Sequence, residues 1–333
     1  MGQKASKILK YGLSLLLAAV LVFFAFRTVD WTAFWQGIGQ TRWAWVALFF
    51  VASILALVFR MFRWKALLKP VDPSVSLADV WDADNVGNLA NLAIPGAGEL
   101  IRCGYLSGGS ARYEKVFGTI VMERAWDFLA VFVLFAAALS SNWSRFGGFF
   151  VENIWTPLSG RLSFSLWWII ALLLVLCAAF VLAVFKLRGR NRFFGRLSDA
   201  FSGLAQGFAS FGKMEHKWLF ALWTVAIWLM YVMMSYCILK SMPALSDAGF
   251  GDALFLSAVG NIASVIPVPG GIGAYHYLIA LTLSFLYGAS WDTGILNATL
   301  NHELHAVLII VLGVISYVCI SLRRRKSLDL QEK

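Results

Sequence analysis

Six stretches of this chain are apolar for long enough to cross a bilayer, and no other feature narrows the possible folds as far. They cover residues 11–26, 43–62, 116–139, 166–185, 218–239 and 305–321, close to the roughly 20 residues a helix needs to traverse a hydrocarbon core of about 30 Å. Lipid offers a backbone amide no hydrogen-bond partner, so each span must satisfy its own backbone, as a helix does. The composition agrees. Of 333 residues, 60% are hydrophobic and 14% charged, and the mean hydropathy is +0.73, outside the range of soluble domains. The chain reads as an all-α polytopic membrane protein forming one integral membrane domain over residues 1–333, with no expectation of a nucleic-acid partner.

Lys4, Lys7 and Lys10 precede the first stretch in the manner of a signal peptide. Its core ends in aromatics and Arg27 without a small-x-small cleavage site, so a retained helix is expected. Cys103, Cys177, Cys237 and Cys319 are scattered, which suggests neither a disulfide framework nor a zinc spacing. Placing the N-terminus in the cytoplasm gathers most Lys and Arg on that side, among them Arg60, Arg63, Lys65, Lys69, Arg102, Lys213, Lys217 and Arg323 to Arg325. Few, such as Arg27, Arg42 and Lys240, fall opposite. That asymmetry orients the chain in a plasma (inner) membrane with both termini cytoplasmic, and the net charge of +10 is first of all an orientation signal.

Two further apolar stretches are interrupted. VGNLANLAIPGAGEL begins at Val86 and VGNIASVIPVPGGIGAY at Val259. The orientation holds only if both segments enter and leave on one side, the first (80–97) from the cytoplasm and the second (253–288) from outside. The expected architecture is therefore six transmembrane helices plus two inverted re-entrant helical hairpins. One hairpin falls in a first half, 1–185, and the other in a second half, 186–333. Similar segments of opposite orientation are how many secondary transporters build a midplane site from broken helices; the alternative is that Gly, Asn and Pro simply recur wherever a membrane segment breaks. The helix-breaking residues are Pro95 and Gly96 in the first segment and Pro267, Pro269, Gly270, Gly271 and Gly273 in the second. Asn88, Asn91, Asn261 and Ser264 can satisfy the freed backbone or face a substrate.

Charges in the third span need an account, because a charge at a helix centre in the bilayer costs roughly 2.5–3.5 kcal/mol. Glu123 and Asp127 share a helix face, and Arg124 reaches Asp127. They form either a structural ion pair or part of a substrate path. Glu99 and Arg102 would sit on the first turns of a half-helix after Pro95-Gly96, where free N–H groups and the helix dipole suit an anion such as phosphate. In NHELHAVL, His302 and His305 are three residues apart, so this is not HExxH and zinc hydrolysis is not expected. His302 and Glu303 mark either a polar helix start or the outer mouth of a path. Residues 193–213 repeat apolar positions at three- and four-residue steps beside basic ones, the pattern of an amphipathic helix lying on the cytoplasmic surface.

FRMFRWKALL, GNLANLAIPGAGELIRCGYL, the ERAWD of the third span and VIPVPGGIGAYHYLIA together resemble the flippase-like membrane proteins related to the transmembrane region of lysylphosphatidylglycerol synthase. The resemblance implies a lipid translocator, or a membrane domain serving lipid or glycolipid modification, and carries over the residues just named in those motifs. In the full synthases a soluble domain transfers the aminoacyl group, so lysyl transfer is not expected of this chain alone. The function expected is translocation of a phospholipid or lipid-linked anionic substrate, with Arg102 and Arg124 engaging phosphate and Glu99, Glu123 and Asp127 either holding those arginines or recognising a cationic headgroup. The alternative is a membrane enzyme, or an accessory subunit to a separately encoded lipid-modifying enzyme. No catalytic residue, metal or cofactor is assigned, and no P-loop is present.

Overall fold

The computed structural model describes residues 19–107, 113–141, 209–263 and 268–331, with isolated positions between them. Among the described residues every regular element is helical. In chain order these are α1 (helical through 19–26), α2 (Trp31–Gly39), α3 (Trp43–Leu68), α4 (Leu77–Ala93), α5 (Ala97–Leu106) and α6 (Tyr113–Ser141), followed by α7 (Lys217–Ser241), α8 (Phe250–Ala263), α9 (Ala274–Tyr287) and α10 (Trp291–Gln331). Of these, α3, α7 and the Trp291–Arg323 part of α10 are long and apolar enough to cross a membrane. The 29-residue α6 covers the expected third span. All of the fourth span but Val175, most of residues 11–18 of the first, most of the amphipathic segment 193–213, Ser264 and Pro267 lie outside the described residues.

Local chemistry sets the element boundaries. Asp30 caps α2 by accepting from the amides of Thr32 and Ala33, and Ser76 with Asp79 forms a capping box at the start of α4. The two breaks share one mechanism. Proline disfavours the helical conformation in the residue before it, and Ile94 and Val268, each preceding a proline, are extended. The glycine after each proline then takes a positive φ, 81° at Gly96 and 60° at Gly270, which residues with a Cβ rarely adopt. The result is two helix–break–helix units, α4–α5 and α8–α9, whose arms are shorter than a membrane span. The breaks also touch: a Cβ placed on Gly270 would lie 3.5 Å from the Leu92 carbonyl oxygen.

Helices from the two halves of the chain interleave: α3 packs along α7, α4 against α5 and α10, α6 against α8, and α9 against α10. Side chains such as Phe49, Val232, Ile238, Ile279, Leu283 and Ile295 make one core, and Trp64, Leu67, Ile120, Met122 and Phe220 another. Large apolar side chains also point outward, among them Phe128, Phe132, Val311, Val314 and Ile315, as a lipid-facing surface requires. One end of the bundle is marked by Lys69 pairing with Glu215 at 2.7 Å and Arg323 pairing with Asp79 at 3.4 Å. The other is marked by the Arg42 amide on the Ser241 carbonyl at 2.8 Å and the Asp30 amide on Asp292 at 2.8 Å.

Two sequence expectations need correction. NHELHAVL does not open a helix: α10 begins at Trp291, so Asn301, His302 and His305 lie well inside it. Arg60 and Arg63 are not loop charges, since both belong to the continuous α3, and Arg63 is only 1% exposed.

Candidate functional site

Where α4 returns as α5, the backbones approach closely. A Cβ on Gly98 would stand 2.2 Å from the Gly87 carbonyl oxygen, so the hairpin closes only with glycine there. Asn91 Oδ1 accepts from the Gly98 amide at 2.7 Å, satisfying one of the donors a helix start leaves free. This crossing presses α5 onto α4 and aims Arg102 into the protein.

Arg102 is 2% exposed and its guanidinium lies 3.9 Å from the centre of the Trp64 ring. Its Nη2 contacts Glu123 Oε2 at 2.8 Å, and its Nε lies 3.3 Å from Asp84 Oδ1, an ionic contact in which the N–H is not aimed at the oxygen. From these two carboxylates the pairing extends in both directions. Asp84 meets Arg60 at 3.2 Å. Glu123 meets Arg63 at 3.4 Å, Arg63 meets Asp127 at 2.6 Å, and Asp127 meets Arg124 at 3.6 Å. Four guanidinium groups thus alternate with three carboxylates across α3, α4, α5 and α6, leaving one positive charge in excess within the chain. Desolvating such groups costs several kcal/mol per ion, and mutual pairing offsets that cost.

Both ends of this ionic chain reach a cavity of about 630 Å³ near mid-height on α7. Arg60, Arg63, Arg124 and Asp127 form its charged wall, with Phe128 beside them. Trp228, Tyr231 and Ser235 of α7, Asn261 of α8, Tyr275 of α9 and Asn301, His302 and His305 of α10 form the rest. Leu92 of the first broken unit and Gly270 at the break of the second also reach its lining. A volume of this order accommodates a small-molecule headgroup.

The structure distributes the sequence-nominated residues unevenly. Arg124, Asp127, Asn261 and His302 line the cavity, whereas Asn88, Asn91, Glu99, Arg102, Glu123 and Glu303 do not. Asn88 accepts from Arg60 at 3.3 Å, and Glu99, on the first turn of α5, keeps a buried Oε2 without a partner. Asn261 donates to the Ser257 carbonyl at 2.8 Å. His302 contacts the Gly270 carbonyl at 2.7 Å and Glu303 at 2.9 Å. Sequence reasoning missed Arg60, Arg63, Asp84, Tyr231 and His276. Polar residues interrupting the apolar helices were the available signal, and for Arg60 and Arg63 it was absorbed by the count of cytoplasmic charges.

A helical membrane protein with two broken-helix units meeting at a polar, arginine-edged cavity is the class this fold and site define. The chain belongs to the family described as the lysylphosphatidylglycerol synthase TM region, whose match covers residues 11–313. No curated protein and no solved structure matches it.

Proposed function

We propose that this chain carries a phospholipid or lipid-linked substrate with an anionic headgroup between the two leaflets of the plasma (inner) membrane. The observation that supports this most is the position of Arg60 and Arg124, one at each end of the ionic chain and both on the cavity wall. A phosphate seated there takes up the surplus positive charge and forms charge-assisted hydrogen bonds, which are about twice as strong as neutral ones. Phe128, Trp228 and Tyr231 supply apolar surface for the adjoining glycerol or acyl region.

In this reading α4–α5 and α8–α9 are re-entrant hairpins of opposite orientation that dip from the cytoplasm and from outside and leave the cavity between them. Both termini lie in the cytoplasm. This orientation is supported by the bundle end that carries Lys65, Lys69, Lys213, Lys217 and Arg323, set against an opposite end with Arg27, Arg42 and Lys240. An enzymatic reading is less well supported. Asp84, Glu123 and Asp127 are all committed to guanidinium groups, which leaves none of them free as a general base, and Glu99 does not line the cavity.

The test is leaflet exchange in reconstituted vesicles. Phospholipids labelled on the headgroup or on the chain are followed by quenching from outside, with anionic and zwitterionic headgroups compared. Exchange of anionic lipid well above that of protein-free vesicles is the expected result. Rates equal to the protein-free control for every headgroup would sink the proposal.

A further inference from the structure

Across the cavity from the arginines, α9 and α10 bring His276, His302 and Glu303 together, and we infer that these three residues form a binding site for a divalent transition-metal ion of the zinc class. Their donor atoms, the two ring nitrogens included, all lie within 4.8 Å of one another, an outer bound that a bound ion would draw in. Glu303 Oε1 stands 2.9 Å from His302 Nδ1 and 3.6 Å from His276 Nε2. Ligands of a tetrahedral zinc ion are separated by about 3.3 Å, given metal–ligand bonds of about 2.0–2.1 Å, and the two distances to Glu303 bracket that spacing.

The hydrogen bonding of His302 provides a second, independent argument. Its Nε2 lies 2.7 Å from the Gly270 carbonyl oxygen, which can only accept, so Nε2 carries the proton. In the neutral ring Nδ1 then presents a lone pair to a carboxylate oxygen, and two acceptors at 2.9 Å need a cation between them. A metal-bound histidine ordinarily donates its other N–H to a carbonyl or carboxylate, which is the role Gly270 plays here. A proton on Nδ1 would also join His302 to Glu303, but it would leave His276 with no contact to that carboxylate closer than 3.6 Å. That side chain is 1% exposed, with Nε2 turned to the same carboxylate oxygen and Nδ1 without a partner. A metal uses both rings and the carboxylate together, and three protein donors leave a fourth position for water.

Occupancy would fasten α9 to α10 and, through His302 and Gly270, to the turn at the second break. The site rests on this cluster alone and stands or falls apart from the translocator reading.

The test uses the full chain in detergent or nanodiscs, stripped with a chelator and titrated with ZnCl2 and CoCl2. Uptake of one zinc per chain is expected, with a zinc-dependent rise in Tm and the visible absorption of Co2+ in a tetrahedral nitrogen and oxygen field. His276→Gln and His302→Gln should each weaken binding by at least about tenfold. His216→Gln, at an exposed position before α7, should leave it unchanged. Size-exclusion profiles establish that the variants are folded, and the cobalt spectrum of the unmutated chain needs no variant at all. Absence of zinc uptake above the blank, or uptake that survives both substitutions, would overturn the inference.

Discussion

Glu123 is fully buried on α6 and holds Arg102 of α5 and Arg63 of α3 at once. Removing one partner of a buried pair strands the others without compensation, at about 3–5 kcal/mol. Glu123→Ala is therefore expected to destabilise the fold by that order, read as a lower denaturation midpoint in detergent. Arg124 differs, because its side chain is 47% exposed and Asp127 retains Arg63 when it is lost. Arg124→Gln should leave the midpoint nearly unchanged yet slow anionic-lipid exchange by about one to two orders of magnitude, since a hydrogen bond to a charged group contributes about 1.5–3 kcal/mol. Equal loss for zwitterionic lipid would show that charge recognition is not its role. At this scale the sequence was partly legible. Glu123, Arg124 and Asp127 stood out as charges inside an apolar span. Arg60 and Arg63 did not, because an arginine near the end of a span looks like a cytoplasmic anchor until the fold turns it inward.

The helix breaks were the most legible elements, since proline and glycine act on their own backbone and on the residue before them, without tertiary help. What lay beyond local chemistry was the closure of α4 onto α5. That closure depends on Gly98 meeting Gly87 across the hairpin, and on Asn91 reaching the Gly98 amide. Asn91→Leu should cost about 1–3 kcal/mol for the stranded amide, and Ser76→Ala about 1 kcal/mol for the lost cap of α4. Thermal unfolding reads each effect against the unsubstituted protein, and an unchanged Tm in Asn91→Leu would argue against a special role for Asn91. The start of α10 was misplaced for a comparable reason. Polar residues at Asn301 to His305 look like a boundary to a hydropathy scan, whereas here they are an interior stretch of a helix turned toward a cavity.

For the whole molecule, hydropathy and composition sufficed to establish a helical membrane protein, because bilayer thickness constrains every span alike. The cavity was beyond their reach, being assembled from helices far apart in sequence. The proposed orientation is open to direct measurement with a membrane-impermeant thiol reagent. With the four native cysteines replaced by serine, Glu215→Cys should react only in inside-out vesicles and Ser290→Cys only in intact cells; the reverse pattern would invert the assignment. The alternating row of arginines and carboxylates carries a last consequence. Because Arg60 and Arg124 terminate one continuous series of shared partners, an anion drawing Arg60 away from Asp84 frees that carboxylate to hold Arg102 more closely, which loosens Arg102 from Glu123 and so on down the row. The two arginines on the cavity wall are then two ends of a single seesaw, and loading one tilts the other.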